Sequence, residues 1–227
     1  MNWQDECFLL SKRKFRENAN IINVFTNNYG KMSGIVYGGN SRKIRNYLQI
    51  SNKIIVEYIA KNENRIGYFK TELVDPNAPR FFNDKKRTAA LLSMTSLLNS
   101  LLPEAQPYKE IYLSLRILID NLTLSNWAYL YLFWELDLIK KLGFDQNLNQ
   151  FFFNGAENND VVKLEVDNVK YKIPNFLIKN KVPDQHSDEV LKSGFIFTRT
   201  VMINKFFLPN NLIFPKPRII LENYFNK

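Results

Sequence analysis

Phe25–Leu48, FTNNYGKMSGIVYGGNSRKIRNYL, carries a β-hairpin signal that runs into a glycine pair and then a cluster of cations. The run leading into it, with Ile21, Ile22, Val24 and Phe25, is β-branched and aromatic, and Asn27-Asn28-Tyr29-Gly30 supplies residues that tolerate φ > 0 at a turn. Lys31 to Tyr37 then alternates loosely as a second strand. It stops at Gly38-Gly39, a pair suited to a bulge, a tight turn or close approach of backbone to a ligand. Arg42, Lys43 and Arg45 follow, with Asn40, Ser41 and Asn46 as neutral phosphate partners and Tyr37 and Tyr47 as candidate stacking platforms. Cations neutralise phosphate and aromatic rings stack on bases, so this mixture suits single-stranded nucleic acid better than a small-molecule pocket. A lysine and arginine run on a strand edge is nevertheless more often a solvated face, and composition alone leaves both readings open.

Outward from this stretch, residues 1 to about 75 read as five short strands: Glu6 to Lys14, Ala19 to Thr26, Lys31 to Tyr37, Lys53 to Ile59 and Arg65 to Leu73. Five short strands with polar turns fit a small closed barrel of the OB kind, whose open face and loops hold oligonucleotides; an SH3-like barrel or a small sandwich shares the pattern. Asp75-Pro76-Asn77-Ala78-Pro79 breaks the strand regime and marks a boundary between residues 1–78 and 79–227.

Beyond it the period becomes helical. Ala89, Leu92, Met94, Leu97, Leu98, Leu101 and Leu102 make one apolar face before Pro103. Tyr108, Ile111, Tyr112, Leu115, Ile119 and Leu122 recur at spacings of three and four behind Pro107. A third helix starts at Ser125 or Asn126, runs from Trp127 to Leu142 and ends with Lys140, Lys141 and Gly143. Residues 146–183 are less regular, with a hairpin joining Val161–Val166 to Val169–Ile173. A further helix is expected from about Ser187 to Phe206, with Gly194 an awkward residue in its middle, and a last helical turn follows Pro215 and Pro217. The reading is therefore α+β: a five-stranded OB-like barrel, then a mostly helical domain with a small irregular insertion.

Composition narrows the partners. Among 227 residues, 31 basic and 22 acidic side chains give a net charge of +9. The first 80 residues hold thirteen basic and seven acidic side chains and the rest eighteen and fifteen, so the excess is +6 against +3. That asymmetry favours an anionic partner for the amino-terminal part. No run of about 18 apolar residues appears, and the opening MNWQDECFLL lacks the charge pattern of a signal peptide, so a cytoplasmic, nucleoid-associated protein is expected. Cys7 and His186 each stand alone in type, which excludes an intramolecular disulfide and the usual zinc constellations; Cys7 reads as a small core hydrophobe and His186 as a surface-loop residue.

Catalytic motifs are missing. No serine or cysteine elbow accompanies His186, and neither GxGxxG nor GxxxxGK[ST] occurs. Glu135 and Asp137, and Asp184 with Asp188 and Glu189, read as solvent-facing charge rather than a metal site, and Phe151-Phe152-Phe153 reads as core or a buried turn.

Taken in order, several segments resemble the RecO family of recombination mediators, in its alphaproteobacterial form. They are WQDECFLLSKRKFREN with Glu17 at a recurrent acidic position, FTNNYGKMSGIVYGG with its T…GK turn, SRKIRNYLQ with Arg42, Leu48 and Gln49, LLPEAQPYKEIY, WELDLIKKLGF, and the terminal FLP…PKPRIIL. The resemblance implies an amino-terminal OB fold, a helical carboxyl-terminal domain and no catalytic turnover. It further implies binding of single- and double-stranded DNA, annealing of complementary strands, and help in loading RecA onto strands coated by single-stranded DNA-binding protein (SSB), together with RecR and in some cases RecF. The acidic tail of the coating protein would dock on the helical domain, for which Arg87, Lys109 and Arg116 are the candidate cations. Many relatives carry zinc-binding cysteines after the LGF segment; the corresponding LNQFFFNGAENNDVVKL has none, so no cofactor is expected and its phenylalanines are the candidate substitute for metal ligation.

The expected DNA contacts are Arg42, Lys43 and Arg45, with Lys12, Arg13, Lys14 and Arg16 as a second basic strip and Tyr37 and Tyr47 as stacking residues. Two other classes share these features: a non-catalytic docking module that mainly binds proteins, and an RNA-binding OB protein.

Overall fold

In the computed structural model, which describes residues 2–60, 66–144, 161–166 and 169–226, the amino-terminal strands close on themselves. β1 (Asn2–Arg16), β2 (Ala19–Thr26), β3 (Gly30–Tyr37), β4 (Lys53–Ile59) and β5 (Tyr68–Asp75) form a barrel in the order β1-β2-β3-β5-β4. β1 makes closure possible because it is long. Its first half, Asn2 to Phe8, pairs antiparallel with β4, and its second half, Cys7 to Arg16, pairs with β2 across register shifts at Leu9/Ser11 and Lys14/Arg16. Such irregularities bend a strand and let it serve two neighbours. The remaining gap is shut by the parallel pairing of Ile35 with Tyr68. This order, with a helix between β3 and β4, is an OB barrel; the expected five strands are present, and the SH3-like and sandwich alternatives fall away.

Strand alternation fills the interior with Cys7, Leu9, Ile22, Val24, Val36, Ile54 and Val56. Trp3 adds a stack with Tyr29 at 4.1 Å and Tyr58 at 5.1 Å between ring centroids. Each aliphatic side chain buried in this way contributes about 1.5–3 kcal/mol. Cys7 is fully buried, as a core hydrophobe should be, and burial pushes its thiol well above the ordinary range, with Asp5 and Glu6 adding to the effect.

The short helix α1 (Arg42–Tyr47) was not apparent in the charge run. Ser41 caps it, its Oγ accepting from the Ile44 amide, and Ile44 and Tyr47 lie three apart so that both pack on the barrel core. After the barrel come α2 (Asn77–Arg80), α3 (Lys85–Leu101), α4 (Lys109–Asn121) and α5 (Trp127–Ile139), which continues into a π-turn over Lys140–Phe144 that kinks at Gly143, with φ 99°. The hairpin β6 (Val161–Val166) and β7 (Val169–Pro174), then α6 (Asn175–Lys179), α7 (Asp188–Met202), a second π-turn (Ile203–Phe207) and α8 (Lys216–Asn223) complete the described elements. The reading of Phe151–Phe153 lies outside the described residues.

By contacts the chain forms two compact units, Met1–Leu113 with Pro215–Arg218, and Ser114–Phe214 with Ile219–Lys227. The barrel strands end at Asp75 and the break expected at 78/79 falls within α2, while the unit that holds the barrel runs on through α3 to Leu113. In the second unit α5 is apolar nearly all round and buried, as a central helix must be. Gly194 has its reason here. A Cβ at that position would stand 2.6 Å from Leu132 Cδ1, so the bare backbone lets α7 approach α5.

One expectation is overturned in the same place. Glu135 does not face solvent: it is fully buried, and Thr198 Oγ1 donates to its Oε2 at 2.6 Å. A carboxylate at the centre of a packed helix needs such a donor, and charge spacing along α5 did not reveal it. Asp137 is bound instead by Lys141 at 2.7 Å, and His186 lies in an exposed loop 3.4 Å from Asp188.

Candidate nucleic-acid interface

The basic strip on β1 is divided by the strand's own geometry. Lys12 pairs across from Ile22 and Lys14 from Asn20, whereas Arg13 pairs with Ile21 and Arg16, past the register shift, with Ala19. Directly opposed residues share a face, so Lys12 and Lys14 lie on one side of the hairpin and the two arginines on the other. Lys12 Nζ donates to the Leu48 carbonyl at 2.7 Å, at the end of α1. Burial, and next the positive charge of Arg45, hold its ammonium below the ordinary lysine range. The structure thus brings Lys12 beside Arg45, uniting the two sequence clusters, and makes Lys12 a strut for α1 as well as a charge. Arg42, Lys43 and Arg45 are exposed on α1.

Two small features hold this edge in shape. Gly38 takes φ +68° and its amide donates to the Asn18 carbonyl at 2.8 Å; a Cβ on Gly39 would meet Asn20 Nδ2 at 2.5 Å. The glycine pair is therefore a tight turn with a close approach to Asn20, whose Nδ2 also donates to Asn40 Oδ1 at 3.1 Å. Tyr37 is 58% exposed. Tyr47 is placed differently from a stacking residue: its ring packs on the core and its hydroxyl donates to the Thr71 carbonyl at 2.7 Å.

The outer surface of β2 and β3, where an OB barrel commonly receives an oligonucleotide, is partly closed. Asn23 Nδ2 donates to Asn99 Oδ1 at 2.8 Å, Lys31 Nζ to the Asn99 carbonyl at 2.9 Å and Ser33 Oγ to Glu104 Oε1 at 2.7 Å. The Ala105 amide donates to the Lys31 carbonyl at 2.9 Å. Beside these bonds Tyr112 packs its ring against Phe8 and Phe25, at 5.2 and 5.6 Å. Burial lowers the Lys31 ammonium, against the opposing pull of Glu104. The end of α3 and residues 104–106 therefore occupy the part of the face around Asn23, Lys31 and Ser33. Sequence reasoning missed this cover. Its one signal was Gly30, with φ +73° and so little room that a Cβ would lie 2.0 Å from the Gln106 carbonyl oxygen.

The three cations expected to meet an acidic tail lie on two helices, Arg87 on α3 and Lys109 and Arg116 on α4. Arg87 Nη1 is bound to Asp84 Oδ2 at 2.5 Å, while Lys109 and Arg116 are exposed on α4. In the second unit, Ile117, Leu118, Leu130, Phe133, Trp134 and Leu177 line an apolar groove of about 410 Å³. Lys140 and Asp137 also line it, and none of the three expected cations does.

Comparison with known proteins agrees with this architecture. Residues 1–77 match the family described as "Recombination protein O N terminal" and residues 83–194 match "Recombination protein O C terminal". The chain is 30% identical over 195 residues to the DNA repair protein RecO of Wolbachia pipientis wMel, covering 84% of this chain and 77% of that protein. It is 32% identical over 161 residues to the RecO of a Wolbachia of Drosophila simulans, with 70% and 66% covered. A third relative, RecO of Hyphomonas neptunium, is 35% identical over 161 residues, with the same 70% and 66%. Of the Hyphomonas protein and the protein from the Drosophila simulans Wolbachia the chain spans just under two thirds, at 66%. The chain belongs to the RecO family.

Proposed function

We propose that this chain is a DNA-binding recombination mediator of DNA repair that works by phosphate neutralisation, base stacking and protein contacts, without turnover of its own. The observation that supports it most is that Lys12 bonds to the carboxyl-terminal end of α1, the helix that carries Arg42, Lys43 and Arg45, and lies close enough to Arg45 to feel its charge, at one edge of an OB barrel. Four cations on one edge attract phosphate through counterion release, whatever the base sequence. In this reading Lys14, Arg13 and Arg16 extend the contact along β1. The protein anneals complementary strands and helps load RecA on coated strands with RecR, with RecF as a further partner.

The acidic tail of the coating protein would use the apolar groove beside α5, its hydrophobic end against Phe133 and Ile117 and its carboxylates towards Lys140. This site replaces Arg87, which is held by Asp84, as the first choice for that contact; Lys109 and Arg116 are secondary.

The test is annealing of complementary DNA strands, bare and coated, across a salt series without nucleotide. Rapid annealing that persists on coated strands is expected. Binding of the coating protein without annealing would instead identify a docking module, the reading that the closed part of the β2–β3 face favours. RNA outcompeting DNA of equal length at matched salt would redirect the assignment to an RNA-binding protein.

A further inference from the structure

The part of the outer barrel face that α3 leaves open has an order of its own. Two rows of opposed residues cross it. In one, Arg16 of β1 faces Ala19 of β2, which faces Tyr37 of β3; in the other, Arg13 faces Ile21, which faces Ile35, which pairs with Tyr68 of β5. Each row begins with an arginine and ends with a tyrosine. Strand spacing puts the row ends about 10 Å and about 14 Å apart, a distance an extended arginine shortens by lying along the sheet. Between them Ala19, Ile21 and Ile35 form an apolar floor against which Tyr68 packs. The tyrosine rings lie 6.1 Å apart at 59°. The next row, Ser11, Asn23 and Ser33, is where the cover begins, since Asn23 and Ser33 bond to Asn99 and Glu104.

We propose that Tyr37 and Tyr68, with Arg13 and Arg16, form a platform for the unpaired bases of single-stranded DNA, distinct from the phosphate-binding edge made by α1 and Lys12. The proposal rests on the DNA-binding reading above and divides that site in two. Tyr37 keeps 58% of its surface in water, so its ring adds little to the barrel core and is available to a base. Among the described residues Arg13 has no acidic partner, and Arg16 lies over the Phe15 ring at 5.2 Å; both guanidinium groups suit the phosphates that flank a stacked base. Glu17, exposed in the turn between β1 and β2, follows Arg16 directly in the chain. A duplex keeps its base faces stacked inside, so the platform selects single strands, while the α1 edge accepts either form.

The experiment compares three probes on the full chain: an oligothymidylate of about 15 nucleotides, a duplex of equal length and an abasic strand with the same phosphates. Tyr37→Ala is expected to weaken oligothymidylate binding about 5- to 150-fold, the range found for loss of one base stack, with an unchanged salt slope. Duplex and abasic-strand affinity should stay at the wild-type level, and Tyr37→Phe should retain tight binding. Tyr68→Leu, which preserves the apolar packing on Ile21 and Ile35, should show the same selective loss. If both variants bind oligothymidylate as wild type does, or lose only affinity for a partner protein, the platform is refuted. A wild-type chain that binds none of the three probes would overturn the DNA-binding reading itself.

Discussion

Neighbouring cations on β1 have different environments because alternate residues face opposite ways, and Arg87 at the start of α3 owes its environment to a helix cap. Asp84 is the N-cap of α3: its Oδ1 accepts from the Arg87 amide at 3.0 Å and its Oδ2 from the Arg87 guanidinium. Partial burial works to raise its carboxyl, but the hydrogen bonds and charge of Arg87 outweigh it and hold the group below the ordinary aspartate range. A depressed folded value means stability that is present above the unfolded pKa and lost as pH falls through the folded one. Asp84→Ala should therefore cost about 1 kcal/mol at neutral pH in urea unfolding. Asp84→Asn keeps a cap acceptor but not the charge, so its deficit should shrink as pH drops below about 4. Equal stability of wild type and both variants at neutral pH would show that the cap carries no weight. The pairing also explains why Arg87, prominent as a free cation in the sequence, is a poor choice for a partner's carboxylate.

At the level of elements, the cover over β2 and β3 depends on the hairpin turn that precedes β3. Gly30 combines a left-handed backbone with contact against the Gln106 carbonyl, so Gly30→Ala meets both torsional strain and a collision with main chain. A loss of at least about 2 kcal/mol is expected. Amide exchange should quicken at Ala105, whose N–H bonds to Lys31; unaltered protection there would mean that the segment from 104 to 106 is not anchored by the turn. The period-two runs made the five strands readable, although β1 starts at Asn2 rather than Glu6 and β5 at Tyr68 rather than Arg65, and the spacing of Trp127, Leu130, Phe133 and Trp134 made α5 readable. Elements held by other means stayed hidden. α1 is six residues long and its apolar side is only Ile44 and Tyr47, so the charges around them masked it. The cover is built from Asn99, Glu104 and backbone groups, which carry no periodic signature. Tyr68 carries no signal of its own within the strand pattern, and only the parallel pairing with Ile35 puts it beside Tyr37.

For the molecule as a whole, the net charge of +9 is informative through where it sits. Replacing Arg42, Lys43 and Arg45 together by alanine should weaken single-strand binding and reduce the slope of log affinity against log salt by up to about 2, because each phosphate contact contributes about 0.7. A folded variant with wild-type affinity and slope would remove α1 from the interface. Such experiments need a chain that can be tagged at chosen points, and the barrel already provides for it. Cys7, the lone thiol of the sequence, is sealed among Leu9, Val24 and Ile54, and its raised pKa keeps it protonated and unreactive. A fluorophore directed to a newly introduced surface cysteine therefore meets no competing background in the native protein. When the barrel opens, the native thiol becomes its own chemical clock for unfolding.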